Sequence, residues 1–344
     1  MMKLRILTLT LALALLFSLS ACTPTRESES GTVITNAMDL TAEWNKVADD
    51  DSLVQGCVVV RNEFLKENPE AVERFLDAYQ ASINYLSTNL DDAAQMIVDA
   101  GIFESAPVAK KAIPKCNVRF VDGDALKSSM NTYLSVLYSI NAASIGGALP
   151  ADDFYYARQS LDTSESAPES IRIYTLNGTT GFGMAKLIAD ARAGSTYDSY
   201  TFTVQSDPSV VTSALTGGDA DIVALPTNAA ANLYNKTGGK VTVLAVNTLG
   251  CLYLLTNQNE TVTSFEDLRG KTVYTPKQNP SFIFKYLCEQ NGLVVGKDVF
   301  IDSTSYAEPA NLKTAVAAGK VDIAVLPEPM VTVAINAANA AAQK

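Results

Sequence analysis

The sequence predicts a two-lobed α/β protein, each lobe a mostly parallel sheet flanked by helices, with a ligand cleft between the lobes. Three observations carry this expectation. From Ile171 onward short apolar strands alternate with amphipathic helices, the order that builds βαβ units and parallel sheets. The segment ALTGGDADIVALP, 214–226, aligns without gaps on AVAAGKVDIAVLP, 315–327, and two copies of one helix, glycine, strand and proline unit predict a pseudo-symmetric pair of lobes. The chain has 344 residues, 47% hydrophobic and only 18% charged, which is apolar mass enough for two cores.

The chain opens on MMKLRILTLTLALALLFSLSAC, with Lys3 and Arg5, an uncharged apolar run from Ile6 and a small-residue end at Ser20-Ala21-Cys22. That is the layout of a secretory signal peptide over 1–21, not of a spanning helix. Leu19-Ser20-Ala21-Cys22 matches the bacterial lipobox, so Cys22 is expected to carry lipid as the first residue of a mature chain of about 320 residues, held on the extracytoplasmic face of the cell membrane. TPTRESESGT is polar, and a lipid-tether linker is expected over 22–32.

Net charge is −11, which argues against nucleic acid, whose phosphates would be repelled. Histidine is absent, and with it go the commonest general base and most zinc ligand sets. No C-x-x-C pair occurs. No catalytic residue, cofactor or metal is therefore expected. Cys57, Cys116, Cys251 and Cys288 read as buried thiols, while pairing of Cys57 with Cys116, or of Cys251 with Cys288, stays open in an oxidising compartment.

Strands are expected over 33–40 and 53–60, the second a continuous apolar run suited to a buried parallel position. Asn68-Pro69-Glu70 opens a helix whose Val72, Phe75, Leu76, Tyr79, Ile83 and Leu86 form one apolar stripe. DDAAQMIVDAG ends at a glycine cap, Gly101, and DALKSSMNTYLSVLY carries Leu126, Met130, Tyr133, Leu134 and Leu137 on one face. Both are packing helices. The stretch 158–170 is polar without periodicity, a linker. IRIYTLNGTTGFGMAKLIADARAG, 171–194, is a strand, a glycine-rich loop and a helix, and the unpaired N–H groups and positive helix end of such a unit suit an anionic or accepting ligand group. A helix opened by Ser206-Asp207-Pro208 and strands over 200–204, 221–225, 241–246, 271–275, 299–302 and 322–326 follow.

Ligands of open parallel sheets bind beyond the carboxyl ends of the strands. The candidate ligand-binding residues are accordingly Asn177, Thr179, Thr180 and Phe182, with backbone N–H groups from Gly178 and Gly181. Thr227 and Asn228 begin a helix whose N–H groups are expected to point into the crevice. Lys277, Gln278 and Glu328 come from the other lobe, and Asn247 and Thr248 from the hinge. Each of these could instead be a cap or turn residue. A carboxylate in a closed crevice needs a partner, either Lys277 or a ligand N–H group, which leans toward an organic, nitrogen-containing solute.

The segments TLNGTTGFGMAKL, ADIVALPTNAAANLYNKTGGKV, NTLGCLYLL, VDIAVLPEPMVT, DLTAEWNKV, LVQGCVVVRNEFLKENPEAVERFLDAYQASI, AKKAIPKCNV and SIGGALPADDFYY resemble the substrate-binding lipoproteins of bacterial ABC importers, in the nitrate/sulfonate/taurine-type group. The resemblance implies a type II periplasmic-binding-protein-like fold and a monomeric, lipid-anchored receptor that captures a small organic solute and delivers it to a membrane permease. The order of the segments departs from the family, in which the part resembling 171 onward follows the leader and the part resembling 39–156 is C-terminal. The chain thus reads as a circular permutant, which compact domains with neighbouring surface termini tolerate. Lobe one is expected over 53–249 and lobe two over 250–344 plus 33–50, with hinge crossings near Asp51 and Gly250, and the strand at 33–40 in the sheet that holds 322–326. The resemblance leaves two alternatives, a cofactor-precursor enzyme of the same fold and a ligand-sensing receptor protein.

Overall fold

The computed structural model describes residues 32–49, 51–161, 168 and 170–342. The expected signal peptide, the lipidation site Cys22 and nearly all of the tether lie outside these residues, as does the middle of the expected linker, 162–167.

β1 (Ile34–Asp39) runs straight into α1 (Leu40–Trp44), where the Asp39 carboxylate accepts from the N–H groups of Thr41 and Ala42 and so caps the helix. β2 (Gly56–Arg61) is followed by α2 (Asn62–Glu67), α3 (Pro69–Thr88), α4 (Leu90–Asp99), α5 (Ala106–Ala112), the short β3 (Val118–Val121) and α6 (Gly123–Asn141). The stripe expected on α3 is buried throughout, so it is core. β4 (Ile171–Leu176) leads through the glycine-rich loop into a single turn, α7 (Thr179–Phe182), and then α8 (Ala185–Arg192). One helix was expected there and two form, because the Ser82 hydroxyl of α3 inserts into the ladder. It donates to the Gly183 carbonyl at 2.6 Å and accepts from the Leu187 N–H at 3.0 Å, replacing the bond those two groups would otherwise make.

The remaining elements alternate as expected: β5 (Tyr200–Gln205), α9 (Pro208–Gly217), β6 (Ile222–Pro226), α10 (Thr227–Thr237), β7 (Val241–Thr248), β8 (Leu252–Asn257), β9 (Thr272–Tyr274), α11 (Asn279–Gln290), β10 (Phe300–Asp302), α12 (Pro309–Ala317), β11 (Ile323–Pro327) and α13 (Met330–Ala342). The internal repeat is α9–β6 and α12–β11. Gly218 and Gly319, its aligned glycines, both adopt positive φ, +81° and +67°, where a side chain would be strained. Its aligned aspartates each anchor a neighbouring strand: Asp221 holds the Arg172 guanidinium of β4 and Asp322 the Asn257 amide of β8.

Two sheets result, a six-stranded one in the order β3-β7-β2-β6-β4-β5 and a five-stranded one in the order β1-β8-β11-β9-β10. The two-lobed α/β architecture is therefore present, and β1 shares a sheet with β11. "Mostly parallel" needs correction. Only β6, β4 and β5, and β11, β9 and β10, pair in parallel, whereas β2 is antiparallel to both its neighbours, β7 and β6, despite its unbroken apolar run. The cause is the route of the chain. It leaves one sheet and enters the other at the junction, so β2 and β8 start at the edge where the parallel strands finish: Gly56 lies beside Pro226, and Leu252 beside Pro327. A strand that starts where its neighbours end must run antiparallel to them.

One core is continuous beneath both sheets, from Leu126, Tyr133 and Val59 on the six-stranded side to Leu254, Phe284 and Val325 on the five-stranded side. A second fills the space between the six-stranded sheet and α3, α4, α5 and α8, and a third lies under α12 and α13.

Candidate functional site at the junction of the sheets

The carboxyl ends of β4, β6, β7 and β11 meet where the chain crosses between sheets. The crossing strands are tied there through Gln55: its N–H donates to the Thr248 carbonyl at 2.9 Å, and its side-chain Oε1 accepts from the Cys251 N–H at 2.7 Å. Packing leaves no room for side chains at the crossings. A Cβ on Gly250 would lie 2.3 Å from Thr41 Oγ1, and one on Gly56 2.5 Å from Asn247 Oδ1. Side-chain bonds then join the two halves directly, among them one from the Tyr253 hydroxyl of β8 to the Lys115 carbonyl at 3.0 Å. The Thr179 hydroxyl donates to the Glu328 carbonyl at 2.7 Å, and Asn279 Nδ2 to Asn228 Oδ1 at 2.7 Å. Trp44 of the five-stranded half is buried between Tyr286 of its own half, at 5.0 Å between ring centroids, and Tyr133 of the other half, at 5.9 Å.

The residues expected at the site divide into three groups. Thr179, Asn228, Asn247, Thr248 and Glu328 come together at the junction, all buried. Asn247 Nδ2 donates to the Thr180 carbonyl and the Thr248 hydroxyl donates to Asn247 Oδ1, at 3.2 and 3.0 Å. Asn228 and Gln278 also line an open groove of about 460 Å³ between α9, α10 and α11, with Asn232, Lys236 and Phe282 beside them.

A second group is structural. The Thr227 N–H, expected to face the crevice, donates instead to the Gln55 carbonyl at 3.3 Å, and its hydroxyl to Val54 at 2.7 Å, because the crossing segment lies over that helix start. In the glycine-rich loop the Gly178 N–H donates to Ile102 and the Gly181 N–H to Gly178, both at 3.0 Å, so neither is left for a ligand. A Cβ on Gly181 would lie 2.0 Å from the Leu176 carbonyl oxygen, which makes that glycine a packing requirement. Phe182 is fully buried, edge-on to Phe103 at 6.1 Å, and forms core instead of a ligand wall.

The third group points away. Asn177 is exposed, and exposed Lys277 pairs with Glu308 at 2.7 Å. Lys277 is therefore not the partner of Glu328. The Glu328 carboxylate, 1% exposed, turns back on α13 and accepts from the Thr332 N–H at 3.0 Å and the Thr332 hydroxyl at 2.8 Å, with the Lys115 ammonium 3.9 Å away. Burial raises its pKa above the ordinary carboxylate range, against the pull of those two donors and of Lys115. Its need for a partner is met within the protein, so Glu328 gives no argument for a ligand N–H group.

Sequence reasoning missed Trp44, Tyr133, Thr275 and Asn279. Tyr133 and Thr275 are fully buried with hydroxyls that have no hydrogen-bond partner, a rare condition in a protein interior. Tyr133 looked like one more apolar position on its helix, and the only available signal was a phenol amid aliphatic neighbours. Asn279 lies between Gln278 and Pro280 at the start of α11, where an uncapped asparagine could have been flagged.

The four cysteines among the described residues are buried and unpaired, and burial pushes the Cys251 thiol up to about 12. Among the described residues no group of three or more acidic or cysteine side chains could hold a metal ion, and no helix is long and apolar enough to cross a membrane.

Residues 194–343 match a family model described as "ABC transporter, phosphonate, periplasmic substrate-binding protein". Two solved structures are similar to part of the chain. An ABC transporter from Parabacteroides distasonis is 22% identical, with a TM-score of 0.35, over 49% of this chain and 56% of that one. The alkanesulfonate-binding protein SsuA from Xanthomonas axonopodis pv. citri, bound to MOPS, is 18% identical, with a TM-score of 0.32, over 48% of this chain and 57% of that one. The chain thus spans little more than half the length of these structures. No curated protein matches it.

Proposed function

We propose that this protein is the extracytoplasmic solute-binding component of an ABC transporter, one that captures a small organic solute between its two sheets and hands it to an import permease. The observation that carries the reading is the family match over 194–343, which runs from β5 through β11 and so includes strands of both sheets and the crossing between them. The binding surface is the junction, with Asn228 and Gln278 at its open groove and Thr179 and Asn247 behind them. Lobe one is 53–249 and lobe two is 250–344 plus 33–50, and the protein acts as a monomer tethered by lipid on Cys22. The order of the chain is that of a circular permutant of the nitrate/sulfonate/taurine-type receptors. Support for that order comes from β1, which pairs with β8 more than 200 residues later in the sequence.

Binding without turnover is the property to test. Native mass spectrometry of protein purified without refolding should show a bound small molecule, which mild denaturation releases chemically unchanged and which rebinds on refolding. A released molecule that the refolded protein converts would favour an enzyme. Absence of any bound or rebindable solute from an extract of the source cells would refute the reading. The anchor is tested separately: Cys22→Ser should abolish labelling by a fatty-acid analogue, and equal labelling of both proteins would exclude it.

A further inference from the structure

We infer that the groove at Asn228 selects a hydroxylated monoanion, of the sugar-acid class, with Lys236 as the group that reads its charge; this rests on the solute-binding reading above. The groove departs from the rest of the molecule in its electrostatics. The chain carries a net charge of −11, yet no aspartate or glutamate lines this groove, and Lys236 is its one charged residue. Other lysines near the junction are committed, Lys277 to Glu308 and Lys115 to Glu328, whereas Lys236 has no ion pair among the described residues.

The polar groups around Lys236 are arranged for hydroxyls. Asn228, Asn232 and Lys236 follow one another at four-residue spacing along α10, so they share one face of it. Asn228 is 92% buried, and with its Oδ1 accepting from Asn279, its amide N–H groups have no protein partner and remain to donate. Asn232 is the converse: its nitrogen donates to the Ala143 carbonyl at 3.3 Å, leaving its oxygen to accept. The Thr212 hydroxyl across the groove donates to Ser209 at 2.9 Å and likewise keeps an accepting face. Donors and acceptors set side by side match groups that do both, which is what sugar hydroxyls are. Phe282 and Leu233 supply apolar surface for the C–H face of such a solute, and about 460 Å³ accommodates six carbons with their oxygens. A dianion would need a second positive side chain, and a cation would be repelled by the one present.

The test is calorimetry on the full chain with three polar probes of different charge: D-gluconate, the neutral D-glucitol, and methylphosphonate at a pH above its second ionisation, where it is a dianion. Gluconate should bind about tenfold or more tighter than glucitol, and Lys236→Gln should remove that advantage. The gluconate advantage should also shrink in wild type as salt is raised. Equal binding of gluconate and glucitol, tighter binding of methylphosphonate, unaltered gluconate binding in Lys236→Gln, or no binding of any probe would each overturn the assignment. A co-purified solute of another charge class would overturn it while leaving the transporter reading intact, whereas failure of that reading would show as no solute of any class.

Discussion

Replacing Thr179 by valine keeps the shape of the side chain and deletes the hydroxyl that bonds one sheet's loop to the Glu328 carbonyl at 2.7 Å. Both partners are buried, Thr179 at 8% exposure and Glu328 at 1%. A neutral hydrogen bond contributes about 0.5–1.5 kcal/mol, and a buried carbonyl left without its donor costs about 1–3 kcal/mol, so a loss of about 2 kcal/mol is expected, about thirtyfold in an equilibrium constant. The bond joins the two halves and neither one's interior, so the loss should fall mainly on their contact. Trp44 reports on that contact, being the single tryptophan of the chain, fully buried and packed at a tilt against rings from both halves. Acrylamide should quench Trp44 more readily in Thr179→Val, and small-angle scattering should show a larger radius of gyration. Unfolding in urea should shift less than the full loss would require. A Thr179→Val protein with Trp44 as shielded as in wild type, and with unfolding unchanged within about 0.5 kcal/mol, would show that this bond does not hold the sheets together.

Three further outcomes are expected. Gly181→Ala places a Cβ 2.0 Å from the Leu176 carbonyl oxygen, so it should destabilise the protein by about 3 kcal/mol or more, read as a lowered urea midpoint. Gln278 holds a φ of +67°, so Gln278→Gly should raise thermal stability by about 1 kcal/mol while weakening solute binding in the groove it lines. Glu328 has a raised pKa in the folded state through burial, so its contribution is fully present below the unfolded carboxylate pKa and is lost as pH rises through the folded value. Glu328→Gln removes this titration, and wild type should therefore lose stability relative to the variant as pH rises above the unfolded carboxylate pKa of about 4 in urea titrations; a constant difference would contradict the sign of the shift.

The order of the elements was legible because it is written in local chemistry. The proline of α3 in its first turn, the Asp207 cap of α9 and the glycines that end α9 and α12 act within a few residues of themselves, so the sequence alone placed those helices. The repeat placed β6 and β11, and with them the strand ends at which a site is expected. β3 and β8 were missed. β3 is four residues without buried alternation, and β8 is separated from β7 by only three residues, so the strand expected over 241–246 was followed directly by the hinge.

The composition also determined what this protein lacks, histidine above all, and hence which chemistries it cannot perform by that route. Only the tertiary structure decided strand direction and the commitments of polar side chains. β2 is as apolar as a central parallel strand, and its antiparallel pairing follows from where the chain crosses between sheets, a non-local fact that no window of sequence contains. Glu328 and Lys277 are both sequence-plausible ligand groups, yet one bonds to Thr332 on the helix that follows it and the other to Glu308 at the surface. A polar residue type states which bonds a side chain can make. Which one it does make depends on what the rest of the chain brings within about 3 Å of it, and at this junction the partners come from segments separated by as many as 196 residues.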